Sequence, residues 1–421
     1  MTLRDDIAVL EDRRFRWFFI GRAVSTVGSS MTAVALAFAV LQIGSAKDLG
    51  LVMAVFSVCQ IVFLVIGGVL ADRLPRAVII QSTYALTAVT QAMVATLFLT
   101  GAASIPRLLV LEGMNGAAMA FTMPAMQGLV PQLVPHQHLQ QATALMSFVR
   151  SSAMIGGPVV GGALVVGPGP GWALAVDALT FVVAIVCFSR IRLPRAAGRT
   201  TSMVADLRAG WSEFTSRTWL WVIVLAFGLI NAIHAGAWIV LGPVVASEHA
   251  DALGARGWGM VLSAEAAGGI LMTVVLMRLR IGRPLLLGML AVSVMVVPLS
   301  VLGVHPATVP LMVGALLAGA GLEIFGTGWN VAMMEHVPTE ALSRVSSYDM
   351  LGSFIAIPLG ATFFGWLVSV AEPRTVLVWS AIAYALIALM TLLVPSVRTL
   401  ARSDAEPAGA PTGSDITASG T

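Results

Sequence analysis

Charge, lysine and cysteine are scarce in this sequence. Only 11% of its 421 residues are charged and 58% are hydrophobic, whereas an ordinary soluble domain has roughly 25% charged residues. The composition therefore excludes a soluble globular protein and predicts a chain that lies in a lipid bilayer. The two cysteines, Cys59 and Cys187, stand in apolar runs without the spacing of a metal site or a disulfide framework.

The sequence also lacks the motifs of nucleotide-dependent and catalytic proteins. It contains no Walker loop, zinc signature, nucleophile elbow or dinucleotide fingerprint. An intramembrane enzyme should show clustered acids or a His/Glu metal set, and the apolar runs show neither. We therefore expect no cofactor, no metal ion, no ATP hydrolysis and no enzyme activity.

What the chain has instead is a series of long apolar runs. A helix needs about 20 apolar residues to cross roughly 30 Å of hydrocarbon. On this criterion the sequence predicts an all-α integral membrane protein, with twelve transmembrane helices in two six-helix bundles related by pseudo-twofold symmetry. The predicted helices span residues 15–42, 49–71, 77–100, 107–130, 141–166, 172–189, 218–246, 257–278, 284–303, 308–334, 343–370 and 375–395.

One long polar interruption divides the runs six and six. The prediction is a cytoplasmic N-terminus, a first bundle, a cytoplasmic linker with an amphipathic helix, a second bundle and a disordered cytoplasmic tail. Their bounds are 1–14, 15–189, 190–217, 218–395 and 396–421. The linker helix either lies on the membrane surface or packs on the ends of the bundles.

Arginine is distributed unevenly between the loops. It concentrates at the termini and in every second loop, whereas the other loops hold only Lys47, Arg107, Arg256 and Arg374 as basic residues. Since cytoplasmic loops carry the excess of Lys and Arg, both termini are predicted to lie in the cytoplasm of a bacterium, with the chain in its plasma (inner) membrane. The pI of about 9.3 reflects this bias. The expected partner is therefore the lipid bilayer and not nucleic acid.

The loop after the second predicted helix carries a Gly-x-x-x-Asp-Arg-x-x-Arg signature. Its residues are Gly68, Asp72, Arg73 and Arg76. A glycine lets a neighbouring helix approach closely, and the Asp-Arg pair stands where a helix leaves the bilayer. We interpret this signature as a moving joint between helices.

With this signature, the twelve runs and the six-plus-six division, the chain resembles the major facilitator superfamily over nearly its whole length. The resemblance implies a secondary transporter whose two halves rock about a cargo site near the bilayer midplane, and we expect it to work as a monomer. It also implies that Asp72 faces the start of the eleventh helix and that this contact breaks in the inward-facing state. Pro75 and Ala77 depart from the family pattern, but Asp72, Arg73 and Arg76 are retained.

A second motif lies in the fifth predicted helix, where Gly157, Pro158, Gly161 and Gly162 resemble the antiporter motif of exporters in this superfamily. Further stretches resemble the exporter branch that includes macrolide-efflux and enterobactin-exporter-like proteins. The resemblance implies efflux of a bulky, largely apolar small molecule, such as an antibiotic, by antiport of protons or another cation. A siderophore-specific exporter, or an importer, of the same fold is one alternative. A non-transporting membrane sensor or scaffold is the alternative from another class.

Five charged residues stand deep within the predicted helices. A charge at the centre of a membrane helix costs roughly 2.5–3.5 kcal/mol, so each one should face a cavity or a partner. Arg22 and Arg150 belong to the first half, and Glu265, Glu323 and Asp349 to the second. These residues are the candidates for proton coupling or for cavity charge. The three acids either pair across the halves with an arginine or carry a proton through the transport cycle.

Other polar residues within the helices are ranked below these five. Glu112 and Asp177 stand nearer the outer helix ends, where we expect them to reach interfacial water. Gln60, Gln91 and Asn115 are uncharged candidates for the cavity, with hydrogen bonding between helices as the alternative.

Four residues of the second half are candidates for contact with cargo. Trp329 and Trp238 lie deep enough for their indole rings to stack on a flat molecule, and Asn231 and Asn330 supply polar groups. The alternative for the tryptophans is packing in the core or in the interfacial aromatic belt.

Overall fold

The computed structural model describes residues 8–401 with the exception of 72–75, 128, 136–137, 192–211, 213 and 280. Within those residues the regular secondary structure is helical throughout. The twelve long helices are α1 Arg13–Ile43, α2 Ala46–Ala71, α3 Arg76–Leu99, α4 Ile105–Gln127, α5 Leu139–Val166, α6 Pro170–Ser189, α7 Thr218–Glu248, α8 Gly254–Leu276, α9 Pro284–Val304, α10 Thr308–His336, α11 Thr339–Leu367 and α12 Pro373–Leu393.

Eleven of these helices are long and apolar enough to cross a membrane. The remaining one is α4, whose hydropathy is lowered by Glu112 and Asn115. Its 23 residues would extend roughly 34 Å at 1.5 Å per residue, and it packs against α2 and α3. The chain is therefore an all-α membrane protein, as the sequence predicts.

The predicted helix ends differ from the observed ones because polar residues take part in the first turns. At the start of α1, for example, Oδ1 of Asp12 accepts hydrogen bonds from the backbone N–H groups of Arg14 and Phe15, at 2.7 and 3.0 Å. This cap satisfies two of the free donors at the helix start. The helix consequently begins at Arg13, before the apolar run that served to predict it.

The first six helices and the last six repeat one pattern of packing. In the first half α2 packs on α4, α1 on α5, and α3 on both α4 and α6. In the second half α8 packs on α10, α7 on α11, and α9 on both α10 and α12. Between the halves, α5 packs on α8 and α2 on α11.

The two ends of the bundle differ in charge. We call one the arginine-rich end, where Arg13, Arg190, Arg278 and Arg398 lie, and the other the arginine-poor end, where α1 ends and α2 begins. The contacts between the halves lie at the arginine-poor end. A Cβ on Gly162 of α5 would be 2.5 Å from the carbonyl oxygen of Ala255 of α8.

The pair α2 and α11 meets at the same end, again through glycine. A Cβ on Gly365 of α11 would lie 2.8 Å from the carbonyl oxygen of Ala46 of α2. Gly50 of α2 faces the carbonyl oxygen of Ala361 in the same way. Glycine is needed at these positions because the backbones themselves are in contact.

Towards the arginine-rich end, one face of α5 becomes exposed among the described residues. On α5, a seven-residue spacing places Phe148, Ile155 and Gly162 on one stripe. Gly162 is buried at the junction with α8, Ile155 is half-buried, and Phe148 is 69% exposed. In the part of the chain that the structure describes, the stripe is therefore covered by the second half at the arginine-poor end and uncovered at Phe148.

Several predicted features fall on residues outside the described ranges. These are Asp72 and Arg73 of the loop signature, nearly all of the linker helix, and residues 402–421 of the tail. The predicted start of the tail at 396 is too early, because Pro395–Arg398 forms a helical turn and Val397 is fully buried.

Candidate functional site

A cavity of about 490 Å³ lies within the first half of the chain. All six helices of that half contribute to its wall. The charged residues lining it are Arg22 on α1, Glu112 on α4, Arg150 on α5 and Asp177 on α6. Four charges on four different helices thus converge on one space.

The acidic end of this cavity is deeply buried. Glu112 is 3% exposed and Asp177 is 1% exposed. Each is the eighth residue of its helix from the arginine-poor end, which corresponds to a depth of roughly 10 Å at 1.5 Å per residue. The two carboxyl groups therefore lie at a common level below the arginine-poor helix ends.

Glu112 belongs to a group of buried polar side chains that lack partners. Thr90 donates a hydrogen bond to Oδ1 of Asn115. Oε1 of Glu112, Nδ2 of Asn115 and Oε1 of Gln91 are buried and have no hydrogen-bond partner among the described residues. Because a buried polar group without a partner costs about 1–3 kcal/mol, these atoms are available to bond with a molecule that enters the cavity.

The carboxylate of Asp177 occupies a space that exists because residue 28 is glycine. A Cβ on Gly28 would lie 2.5 Å from Oδ1 of Asp177 and would also overlap the hydroxyl of Thr180. The Thr180 hydroxyl lies 3.4 Å from the same Oδ1. Gly28 of α1 thus admits the Asp177 side chain of α6 between the two helices.

The basic residues Arg22 and Arg150 lie nearer the arginine-rich end than the two acids do. Nη1 of Arg22 donates a hydrogen bond to the hydroxyl of Tyr84 at 3.1 Å, and the hydroxyl of Ser25 lies 3.3 Å from the same oxygen. The Tyr84 ring is held edge-on against Phe181, with ring centroids 5.2 Å apart. Arg150 is exposed and has no hydrogen bond to a described residue. One arginine is therefore held by a hydrogen bond to a described residue, and the other is not.

Much of the remaining wall is apolar. Side chains from four helices form it, namely Leu36, Val52, Met53, Phe56, Met119 and Phe181. Seven Ser and Thr residues also line the cavity, so apolar and polar side chains share its wall. A concave site of this kind can hold a small organic molecule.

The sequence family of the chain is shown by comparison with known proteins. Residues 18–241, more than half of the chain, match the Major Facilitator Superfamily. The chain belongs to this superfamily. It is a multi-pass membrane protein of a transporter family whose members are not enzymes.

Two curated relatives of this superfamily member are drug-efflux transporters. Macrolide efflux protein A of Streptococcus pyogenes is 21% identical over 93% of this chain and 97% of the relative. Quinolone resistance protein NorA of Staphylococcus aureus is 30% identical over 44% of this chain and 47% of the relative. For three further curated relatives, the chain spans only 34% to 66% of the relative's length.

The fold is also that of solved transporters. The crystal structure of the nucleoside transporter NupG superimposes with a TM-score of 0.71, over 90% of this chain and 98% of that chain. The sequence identity is 13%, so this likeness concerns the fold alone.

In this superfamily member, the motif of the fifth helix contacts helices on two sides. Gly157 and Gly161 face Ser30 and Met31 of α1. The other side of α5 faces α8 of the second half, where the carbonyl oxygen of Pro158 meets Gly259 and Gly162 meets Ala255. The motif therefore joins α1 to the junction between the halves.

Of the loop signature, the structure describes only the two flanking positions. Gly68 lies in the last turn of α2, and Arg76 is the first residue of α3. Asp72 and Arg73 lie outside the described residues, so the gating role of the signature stays a prediction.

The acids predicted in the second half each have a local hydrogen-bond donor. Nε1 of Trp238 donates to Oε2 of Glu265 at 2.8 Å, and Nε1 of Trp329 donates to Oδ2 of Asp349 at 3.1 Å. Glu323 lies 3.3 Å from the hydroxyl of Thr327 on its own helix. None of the three forms an ion pair with Arg22 or Arg150 in the described part of the chain.

The four predicted cargo contacts do not line the cavity of the first half. Trp238 is fully buried against Trp258, with ring centroids 4.8 Å apart, and Trp329 stacks on Phe325. Asn231 is half-buried on α7. Asn330 is exposed, and its Nδ2 donates to the carbonyl oxygen of Gly326.

The structure corrects the expectation that Glu112 and Asp177 reach interfacial water. Both are buried within the first half, and Asp177 is seated beside Gly28. Of the five charged candidates, only Arg22 and Arg150 line the same cavity as these acids. Gln91 and Asn115 join them there, as their polar character suggested.

Proposed function

We propose that the chain is a secondary transporter that exports a bulky, largely apolar small molecule by proton antiport. The observation that carries this proposal is the cavity of the first half, which combines apolar side chains with two buried acids, one of which, Glu112, has a carboxyl oxygen without a partner among the described residues. Apolar walls suit the cargo, and a carboxyl group is the side chain that exchanges a proton most readily in a membrane. The names of the two drug-efflux relatives support the same direction of transport.

The orientation follows from the distribution of arginine. The arginine-rich end faces the cytoplasm on the rule that cytoplasmic loops carry the excess of basic residues. Both termini are then cytoplasmic in a bacterial inner membrane. In this proposal cargo enters the cavity from that end, either from the cytoplasm or from the inner leaflet.

Transport also requires a second state, in which the cavity is accessible from the arginine-poor end and closed at the arginine-rich end. The halves, 15–189 and 218–395, rock against each other so that the glycine contacts at the arginine-poor end separate while the arginine-rich end closes. The junction of α5 and α8 is one hinge surface of this motion, and Gly162 and Gly259 permit its tight closure. The chain carries one cavity of this kind within its own first half, which fits function as a monomer.

The proposal is tested by efflux from bacterial cells with and without the protein. Cells are loaded with macrolides, quinolones, lipophilic dyes or siderophores, and efflux is followed with and without a protonophore. We expect faster efflux of at least one apolar compound, abolished by the protonophore. Efflux of siderophores alone would support the alternative exporter, accumulation would support an importer, and no change for any compound would support a sensor or scaffold.

A further inference from the structure

We propose that Glu112 and Asp177 form the binding site of the coupling proton. This inference rests on the proposed function, because a coupling proton has meaning only if the chain is an antiporter. It places the site in the first half of the chain, between α4 and α6, whereas the depth of the charges in the sequence pointed to Glu265, Glu323 and Asp349.

One carboxyl oxygen of Glu112 is buried without a hydrogen-bond partner. This atom, Oε1, is unpartnered among the described residues, and the side chain is 3% exposed. Two further atoms of the same cavity, Nδ2 of Asn115 and Oε1 of Gln91, share this condition. Each acid of the second half lies within hydrogen-bond reach of a donor on Trp238, Trp329 or Thr327, and Asp177 likewise lies 3.4 Å from the Thr180 hydroxyl. Among the acids that the structure describes, Glu112 is therefore the one with a buried carboxyl oxygen that has no partner.

The side chain of Asp177 is seated in the packing between α1 and α6. Asp177 is 1% exposed and is seated against Gly28, whose missing side chain makes the space for its carboxylate. The Thr180 hydroxyl lies beside it. The packing of α1 against α6 thus provides a specific place for the Asp177 side chain.

Two arginines share the cavity with the two acids. Arg22 on α1, Tyr84 on α3 and Arg150 on α5 line the same cavity. The cavity residues of α2 are apolar, and the thiol of Cys59 on that helix packs against Gly113, next to Glu112. Two acids thus face two arginines across one cavity, and no described group of three or more His, Cys, Asp or Glu could hold a metal ion. The set suits a proton better than a metal cation.

A proton site needs access to water from both sides of the membrane. The acids lie roughly 10 Å from the arginine-poor helix ends and are buried in the state described here. In the state in which the contacts between the halves have separated, water from outside reaches the acids, and an O–H bond of a hydronium ion breaks as an O–H bond forms on a carboxylate oxygen. When the halves return to the state described here, the acids again line the cavity of the first half. The O–H bond then breaks and the proton passes to cytoplasmic water, so one proton moves inward per cycle at each acid that titrates.

The test uses the full chain in proteoliposomes with a cargo identified by the cell assay. Counterflow of cargo without an ion gradient measures movement of cargo, and accumulation driven by an imposed pH gradient measures coupling. For Glu112→Gln and Asp177→Asn we expect counterflow to persist and pH-driven accumulation to fall to the level of protein-free liposomes. The matched controls are Glu248→Gln and Asp251→Asn, two exposed acids at the arginine-poor end, and both should keep normal accumulation.

The outcomes separate this inference from the proposed function. Absence of counterflow and accumulation in the unmodified chain would overturn the proposed function. Normal pH-driven accumulation in both variants would overturn the proton site alone. Loss of counterflow in a variant that still elutes as folded protein would assign the acids to cargo binding, and accumulation driven by a sodium gradient in the unmodified chain would make the ion sodium. Either result would also overturn the inference.

Discussion

The Asp177 carboxylate fills the space beside Gly28, where a Cβ would lie 2.5 Å from its Oδ1. This relationship joins α1 to α6 in the wall of the cavity. It predicts that even a methyl group at position 28 displaces both Asp177 and Thr180, because a Cβ there would also overlap the Thr180 hydroxyl oxygen. We expect Gly28→Ala to reach the membrane but to lose transport driven by a pH gradient.

The control for that variant is Gly156→Ala on α5. A Cβ at position 156 meets no atom within 4 Å, so this variant should transport normally. Both are measured as pH-driven accumulation in proteoliposomes, normalised to the amount of folded protein. Equal activity of the two variants would show that the position of Asp177 is unimportant.

A second prediction concerns the junction of α5 and α8. Gly162→Leu places a side chain against the carbonyl oxygen of Ala255 in the state that is closed at the arginine-poor end. Overpacking costs about 1–3 kcal/mol, and such a cost applied to one of two states shifts their ratio by roughly 5- to 150-fold. The variant should therefore favour the state that is closed at the arginine-rich end.

The shift is measured by labelling a cysteine at position 148. Phe148→Cys is introduced into a chain with Cys59 and Cys187 replaced by alanine, and an impermeant maleimide is applied from the arginine-rich side. Labelling should be fast in this background and slower when Gly162→Leu is added. Unchanged labelling would mean that the α5–α8 contact does not distinguish the two states.

A third prediction concerns the hydrogen bond between Trp238 and Glu265. Trp238→Phe removes the donor and leaves the carboxyl group buried without it, at a cost of about 1–3 kcal/mol. Glu265→Gln keeps an oxygen that can accept from Trp238. The apparent Tm in detergent should thus fall clearly for Trp238→Phe and much less for Glu265→Gln, with pH-driven transport retained in the latter. A larger fall for Glu265→Gln would contradict a structural role for this pair.

A fourth prediction concerns the loop signature after α2. Asp72→Asn should leave the amount of protein in the membrane unchanged and nearly abolish transport, because the neutral side chain cannot make the charged contact expected of a gate. Asp48→Asn, at the start of the same helix but the opposite end of the bundle, is the control. Membrane abundance and efflux are measured together, and full activity of Asp72→Asn would remove the gating role.

The helices were predictable because lipid imposes a strong rule on the sequence. A segment that crosses the bilayer must satisfy its backbone internally and present apolar side chains, so the length of each apolar run gives the helix directly. The π-helical segment His234–Val240 within α7 was not predictable. Its residues are as apolar as a regular helix requires, and only packing against α11 reveals the change of register.

The site was predictable in part. Arg22 and Arg150 stood out because charge is rare in the helices, and both line the cavity. Glu112 and Asp177 were expected to reach interfacial water because their depth was counted from the nearest helix end. Their burial depends on how closely distant segments pack, as α6 does on α1 where Asp177 meets Gly28. The spacing of residues within one helix does not report how closely that helix packs against a distant one.

The most direct measurement is transport into everted vesicles of the inner membrane, in which the arginine-rich end faces the medium. With the vesicle interior made acidic, the account predicts that cargo accumulates inside, that a protonophore abolishes this accumulation, and that Glu112→Gln reduces it to the level of vesicles without the protein. Accumulation that is insensitive to the protonophore, or loss of cargo from preloaded vesicles under the same gradient, would contradict it.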